Sequence, residues 1–368
     1  MGIHASATCS MAMGTKGKCI GYLLGEKRQG YEDHVQHDER GTDGHGSPGL
    51  AYASAAYMLA VNYARERIQS RALADFANPE APSVAIINHP DVRRNLLWMK
   101  SYVDGMRSFF YYMAACRTKA LLASSEEDRV KFNDMFELLT PLIKDYLSVH
   151  GHEVCVQAVQ VYGGAGYCKD YPVEQYARDC KITSIFEGTS GVQAMDLLGR
   201  KLGMKKGQVF ISFLTEIHHT VSAAKKTESL QGMAVKLEEA ANRLGEIAMH
   251  LGQNAMSLKF KTAFAHSWPF LDTVGDVIMG WMLLWRAMTA SEKLAAGAKK
   301  KDVVFYNGQI KTAEFFISTV IPVTLGKMDA IQGFSSAAIE MEDDAFGGLL
   351  FKGSVQTLSL IGNVKWQI

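Results

Sequence analysis

The run Gln160-Val161-Tyr162-Gly163-Gly164-Ala165-Gly166-Tyr167 closes one pattern and opens another. Ahead of it, Val154, Ala158 and Val161 recur at helical spacing, and the paired glycines stop that helix. Upstream, Thr140-Pro141 reads as the cap and first turn of the same helix. Downstream, Ile185-Phe186-Glu187-Gly188-Thr189-Ser190 sets a carboxylate and a glycine just ahead of another helix start near Thr189 or Ser190. Val192, Met195, Leu198 and Leu202 give that helix an apolar face. Taken alone, the glycine run is a helix stop with a tight turn, and Glu187 is an acid near a helix N-terminus. Together they place a possible base beside exposed backbone N–H donors. Such a pairing suits removal of a proton next to a carbonyl whose oxygen gains negative charge.

Two more helices precede these. From Leu50 the apolar residues Tyr57, Val61, Ala64 and Ile68 recur every three or four positions, and Asn78 to Pro82 breaks the chain. Pro90 and Asp91 suit a first turn, after which Val92, Leu96, Met99, Val103, Met106, Phe110 and Met113 form a stripe. Four long helices with modest loops read as an antiparallel bundle over residues 50–203. Lys205-Lys206-Gly207 reads as a linker to a second helical domain, 208–368, with helices near 208–225, 228–257, 270–297 and 302–331. At the other end, Cys19 to Leu24 reads as a short strand bounded by glycine, making residues 1–30 a β remnant. The fold class is therefore mainly α with a short β remnant.

The 368-residue chain is 48% hydrophobic and 21% charged, ordinary for a globular protein, and its net charge of +1 offers no basic face for nucleic acid. The Lys299–Lys301 run reads as a solvated helix start. Phe270 to Met288 is the longest apolar region, but Asp272, Asp276 and Arg286 interrupt it, so a buried helix is expected rather than a membrane span. Six cysteines without CxxC spacing fit free thiols in a reducing cytosol or organelle matrix, and no secretory signal is visible. His150 and His152 lie two apart on a helix and point apart. A surface or capping role is expected for them and no metal site.

Three segments in order, Pro90-Asp91-Val92-Arg93-Arg94, Gln160 to Tyr167, and YARDCKITSIFEGTSGVQAMDLLGRK from Tyr176, resemble the acyl-CoA dehydrogenases. The likeness covers residues 2–30 and 50–203; residues 208–368 resemble the extra C-terminal domain of the methylmercaptopropionyl-CoA dehydrogenase-like subgroup. The resemblance implies an FAD-dependent oxidoreductase that converts an acyl-CoA to a 2-enoyl-CoA. Glu187 matches the base that takes the α-proton, and its backbone N–H the donor to the thioester carbonyl. Gly188 matches a position of close substrate approach, and Thr189 a flavin contact. Arg67 matches the arginine on the flavin pyrophosphate of a neighbouring subunit, and Gln69 a second polar contact there. Gln160, Gly163 and Gly164 match the segment that receives the adenosine end. The resemblance thus implies a site shared between protomers of a dimer or tetramer, with electron-transfer flavoprotein as acceptor. Ser70-Arg71 departs from a common Phe-Gly, and Phe186 from a common Tyr. An acyl-CoA oxidase and a non-catalytic helical fragment are the competing readings.

Residues 31–49 stand apart: rich in Gly, His and Asp between apolar stretches, they form too long a structureless loop for a compact domain. The family has a helix start here, of the kind Met-Phe-x-Met-Met-Asn-x-x-Arg. Reverse-translated and read one base later, residues 34–48 yield Met-Phe-Ser-Met-Met-Asn-Glu-Ala-Arg-Met-Val-Thr-Ala-Ala with permitted wobble choices. A frameshifted helix is therefore expected, its CoA-contacting Asn and Arg replaced by Glu39 and Thr42. Met1 to Ser6 resembles a segment late in the family's middle β domain, so an N-terminally truncated chain is expected.

Overall fold

The computed structural model describes residues 1–7, 9–23, 47–75 and 77–347. Most of the 31–49 segment, with the frameshift expected there, lies outside the described residues. The strand expected at Cys19–Leu24 does not form over Cys19–Leu23, which are exposed and unpaired with any strand. An isolated apolar run has no ladder to join, and strand propensity without a partner does not make a strand. Met1 to Ile3 instead lie against the later part of the chain, where the Ile3 amide donates to Asp179 at 2.7 Å.

Helix α1 (Ser47–Glu66) crosses α3 (Glu126–Tyr162) with the backbones touching. A Cβ on Gly49 would sit 2.3 Å from the Leu147 carbonyl oxygen, and one on Gly151 would sit 2.6 Å from that of Gly49. Only glycine permits that approach. After α1 the chain does not carry the helix through Ile68. It forms an antiparallel pair of short strands, β1 (Ile68–Arg71) and β2 (Ser83–Ala85), and leaves Ile68 56% exposed. Helix α2 (Pro90–Leu122) then starts on Pro90 as expected.

The Thr140-Pro141 cap is overturned. Helix α3 starts fifteen residues earlier, where the Ser125 side chain accepts from the Asp128 amide at 3.1 Å, and Pro141 lies inside it. A mid-helix proline removes one backbone donor and costs about 3 kcal/mol. Here the segment from Leu138 to Ser148 is buried throughout, and that burial offsets the cost. Thr140 turns its hydroxyl to the Phe136 carbonyl, 2.9 Å away, instead of capping.

The bundle's fourth member is not one long helix. After α4 (Val173–Cys180), helix α5 (Ser190–Asp196) runs straight into a π-turn at Leu197–Lys201, so Leu198 is buried while Val192 and Met195 stay half-exposed. Lys205, Lys206 and Gly207 then occupy consecutive left-handed conformations (φ 48°, 59° and 84°), which turn the chain between two helices. Beyond it come α6 (Gln208–Ala224), α7 (Glu228–Ala255), the short α8 (Phe260–Ala265), α9 (Ser267–Ala295), α10 (Lys300–Thr319) and α11 (Ile321–Gly333). Pro322 falls in the first turn of α11, and the expected 302–331 helix is split there.

Helix α9 joins the two layers. It packs on α2, α3 and α5 on one side and on α6, α7, α10 and α11 on the other, and every residue from Phe270 to Leu284 is buried. The aspartates within that run are held by groups from both layers. His150 on α3 bonds Asp272 at 2.9 Å and Glu153 at 2.7 Å. Asp276 accepts from Tyr146 at 2.6 Å, Thr324 at 2.8 Å and Lys327 at 3.0 Å, and Lys327 also reaches Asp272 at 2.7 Å. His150 is therefore a buried cation between layers, not the surface or capping group expected. Burial alone would depress its pKa, but the bonds to Asp272 and Glu153 outweigh that and raise it to about 10. Glu153 is the one partner its own helix supplies; Asp272, which completes the site, lies 122 residues away.

Candidate functional site

Five of the residues singled out in the sequence line one cavity of about 570 Å³. Arg67 and Gln69 come from the end of α1 and from β1; Gln160, Gly163 and Gly164 come from the end of α3. Two features of local chain geometry bring them together. Ser70 takes φ +61° at an irregularity in the β1–β2 pairing, which turns the strand sharply beside Gln69. At the far wall Gly163 takes φ +62°, and its N–H bonds back to the Gln160 carbonyl to close the helix.

The walls include Tyr63 and His89, which the sequence reading left out. Tyr63 stacks on Tyr162 with ring centroids 4.0 Å apart and planes 18° apart, and Tyr171 meets both edge-on. His89, one residue before α2, lines the cavity and places Nε2 2.8 Å from the Gln69 carbonyl oxygen. The only signal for His89 was its place ahead of Pro90 at a helix start. A Cβ added to Gly163 or Gly164 would meet nothing within 4 Å, so a ligand can lie directly on that backbone.

Glu187, Gly188 and Thr189 do not line this cavity; they form a second locus. Glu187 takes φ +52° and Gly188 φ +97°, two left-handed residues in succession. For a residue with a Cβ that conformation costs about 1–2 kcal/mol. The turn leaves Glu187 exposed directly ahead of α5, where the Thr189 hydroxyl caps the helix by accepting from the Val192 amide at 3.4 Å. The helix start expected near Thr189 is thus formed, with a carboxylate two residues ahead of its cap. Behind the turn lies Lys144, 1% exposed, which donates to the carbonyls of Thr183 at 2.5 Å and Phe186 at 3.0 Å. A larger cavity of about 910 Å³, between α2, α3, α6, α9 and α10, contains none of these residues.

Family models place the same segments. An acyl-CoA dehydrogenase C-terminal domain matches residues 44–202, and an acetyl-CoA dehydrogenase C-terminal-like domain matches residues 213–342. The chain belongs to the acyl-CoA dehydrogenase family. A butyryl-CoA dehydrogenase of Syntrophomonas wolfei is 34% identical over 353 residues, covering 94% of this chain and 57% of its own length. A 3-methylmercaptopropionyl-CoA dehydrogenase of Ruegeria pomeroyi is 34% identical, covering 87% of this chain and 53% of its own. A subunit of the caffeyl-CoA reductase-Etf complex of Acetobacterium woodii is 31% identical over 49% of this chain and 41% of its own. Among solved structures, an acyl-CoA dehydrogenase complexed with FAD from Bacillus anthracis superposes with TM-score 0.64 at 17% identity, covering 88% of this chain and 53% of that one. The chain spans little more than half the length of the curated relatives it matches.

Arg67, Gln69, Gln160, Gly163 and Gly164 line the cavity, whereas Thr189, expected as a flavin contact, lies with Glu187 and Gly188 outside it. The cavity suits a flavin dinucleotide: one guanidinium for a pyrophosphate, two side-chain amides, and an open glycine floor. His150, Asp272 and Asp276 bring ligand atoms within 4.8 Å of one another, as metal ligands do. Lys327 already donates to both carboxylates, and His150 is held as a cation.

Proposed function

We propose that this chain supplies the base and half of the cofactor cradle of an FAD-dependent acyl-CoA dehydrogenase, giving a 2-enoyl-CoA. The observation that carries the reading is the convergence of Arg67, Gln69, Gln160, Gly163 and Gly164 on one cavity from separate elements. When bound, the flavin supplies the hydride acceptor. Arg67 would hold the pyrophosphate, with Gln69 beside it, and Gln160 with the glycine floor would hold the adenosine end. Glu187 removes the α-proton, and its own N–H with the start of α5 holds the thioester carbonyl as charge moves onto the oxygen. Gly188 keeps a side chain off the approach to the substrate, and Thr189 fixes the helix start and meets the flavin.

Because the cradle and the base form separate loci, the site is read as shared between copies, in a dimer or tetramer. Electron-transfer flavoprotein is the proposed acceptor, in keeping with the Etf-complex membership of one relative. Among the described residues no helix is long and apolar enough to cross a membrane. The cytoplasm or an organelle matrix is the proposed compartment.

The test is direct. Protein purified with FAD should be yellow and bleach anaerobically when an acyl-CoA is added. Glu187→Gln should keep the colour and lose the bleaching. Protein that takes up no flavin would favour a non-catalytic helical fragment, and bleaching that recovers at once in air would favour an oxidase.

A further inference from the structure

The Glu187 turn is built on a buried cation that the proposed chemistry does not use. Lys144 sits in the middle of α3 in the wholly buried run from Leu138 to Ser148. Its ammonium donates to Thr183 and Phe186 carbonyls, and lies 5.1 Å from the centre of the Phe186 ring. Three contacts from one side chain thus fall on the four residues just before Glu187. Burial depresses the pKa of this ammonium, while the charges of Asp145 and Glu187 oppose that shift, so the base and the lysine feel each other.

The geometry of a peptide plane makes these contacts directional. In a trans peptide the C=O and the following N–H point opposite ways. Holding the Phe186 oxygen inward on Lys144 therefore turns the Glu187 N–H outward, towards the side from which a thioester carbonyl would approach. The same anchor precedes two left-handed residues, a conformation that a side chain rarely holds without support. Relaxation of Glu187 to an ordinary conformation would swing both its amide and its carboxylate away.

We propose that Lys144 is the positioning residue of the base: by fixing the Thr183 and Phe186 carbonyls it aims the Glu187 amide and holds Glu187 in its left-handed turn. The inference rests on the reading of Glu187 as the base, but its first readout does not.

The test compares Lys144→Met and Lys144→Arg in the full chain. Hydrogen exchange of the Ile185 and Phe186 amides, which bond to the Ile182 carbonyl at 2.9 and 3.0 Å, should quicken at least ten-fold in the Met variant, with α2 and α9 still protected. The Arg variant, which keeps donors, should fall between. Unchanged exchange of these two amides in the Met variant would overturn the proposal. In flavin-loaded protein the Met variant should retain FAD and bind acyl-CoA, yet its flavin reduction should slow about a hundred-fold, the penalty of a misplaced reacting group. Equal losses of FAD content and of reduction rate would instead make Lys144 a general support of the fold, and overturn it. If Lys144→Met does not fold, Lys144→Gln is read in the same exchange experiment, with intermediate exchange expected and wild-type exchange refuting. Bleaching that persists in Glu187→Gln would sink the base assignment alone, leaving the exchange result to decide the role of Lys144.

Discussion

Replacing Lys327 with Met is the sharpest test of how the two helical layers are joined. Lys327 donates to Asp272 at 2.7 Å and to Asp276 at 3.0 Å, and Asp276 is fully buried. Asp276 receives three hydrogen bonds and donates none, the pattern of an ionised carboxylate. Removing one member of a buried ion pair costs about 3–5 kcal/mol, because the other charge is left uncompensated. The Lys327 side chain is 36% exposed, so water already shares its charge, and about 2–3 kcal/mol is the better expectation. At about 2–4 °C per kcal/mol the melting temperature should fall by roughly 5–10 °C. The assay is urea and thermal unfolding followed by circular dichroism, on Lys327→Met, Asp276→Asn and the double variant. Once Asp276 is neutral, losing Lys327 should matter less, so the double variant should be more stable than additivity predicts by about 1 kcal/mol or more. A single Lys327→Met within about 0.5 kcal/mol of wild type, with strict additivity, would refute a charge-based joint and leave apolar packing on α9 as the sole fastener.

Other outcomes follow from the same coordinates. His150 is raised from 6.5 to about 10 on folding, so its contribution is complete below pH 6.5 and disappears as pH rises through about 10. Asp272 and Glu153 are depressed from 3.8 and 4.5, so theirs is complete above pH 4.5 and lost on acidification; urea midpoints should be highest between pH 4.5 and 6.5, and His150→Phe should flatten the decline between pH 6.5 and 10, leaving the loss at higher pH where Lys327, itself raised from 10.5, titrates. Gly275→Ala would set a Cβ 1.9 Å from the Tyr146 ring, and calorimetry should show a loss of about 1–3 kcal/mol or more, as overpacking predicts. Arg67→Ala should lower the flavin content of purified protein, read by absorbance, while leaving the melting temperature of flavin-free protein unchanged, since Arg67 is exposed. Ser125→Ala should cost about 1 kcal/mol in the same unfolding assay through loss of the α3 cap.

Local pattern sufficed for much of this molecule. Helical periodicity marked α1, α2 and the end of α3, and the paired glycines marked where α3 stops. These features depend on neighbours a few residues away, and such neighbours are written next to one another. The family segments likewise named Arg67, Gln69, Gln160, Gly163 and Gly164, which the folded chain brings to one cavity. Tertiary structure decided the rest. Thr140-Pro141 is an excellent helix start in isolation, and only burial against α9 and its neighbours keeps it inside α3. Cys19 to Leu23 has strand composition but no strand to pair with among the described residues. His150 became a buried cation because Asp272 arrives from 122 residues away, and Lys144 became the anchor of the Glu187 turn because carbonyls 39 and 42 residues later close on it. A buried charge is defined by its partner, and a linear pattern does not show which distant group the fold will deliver.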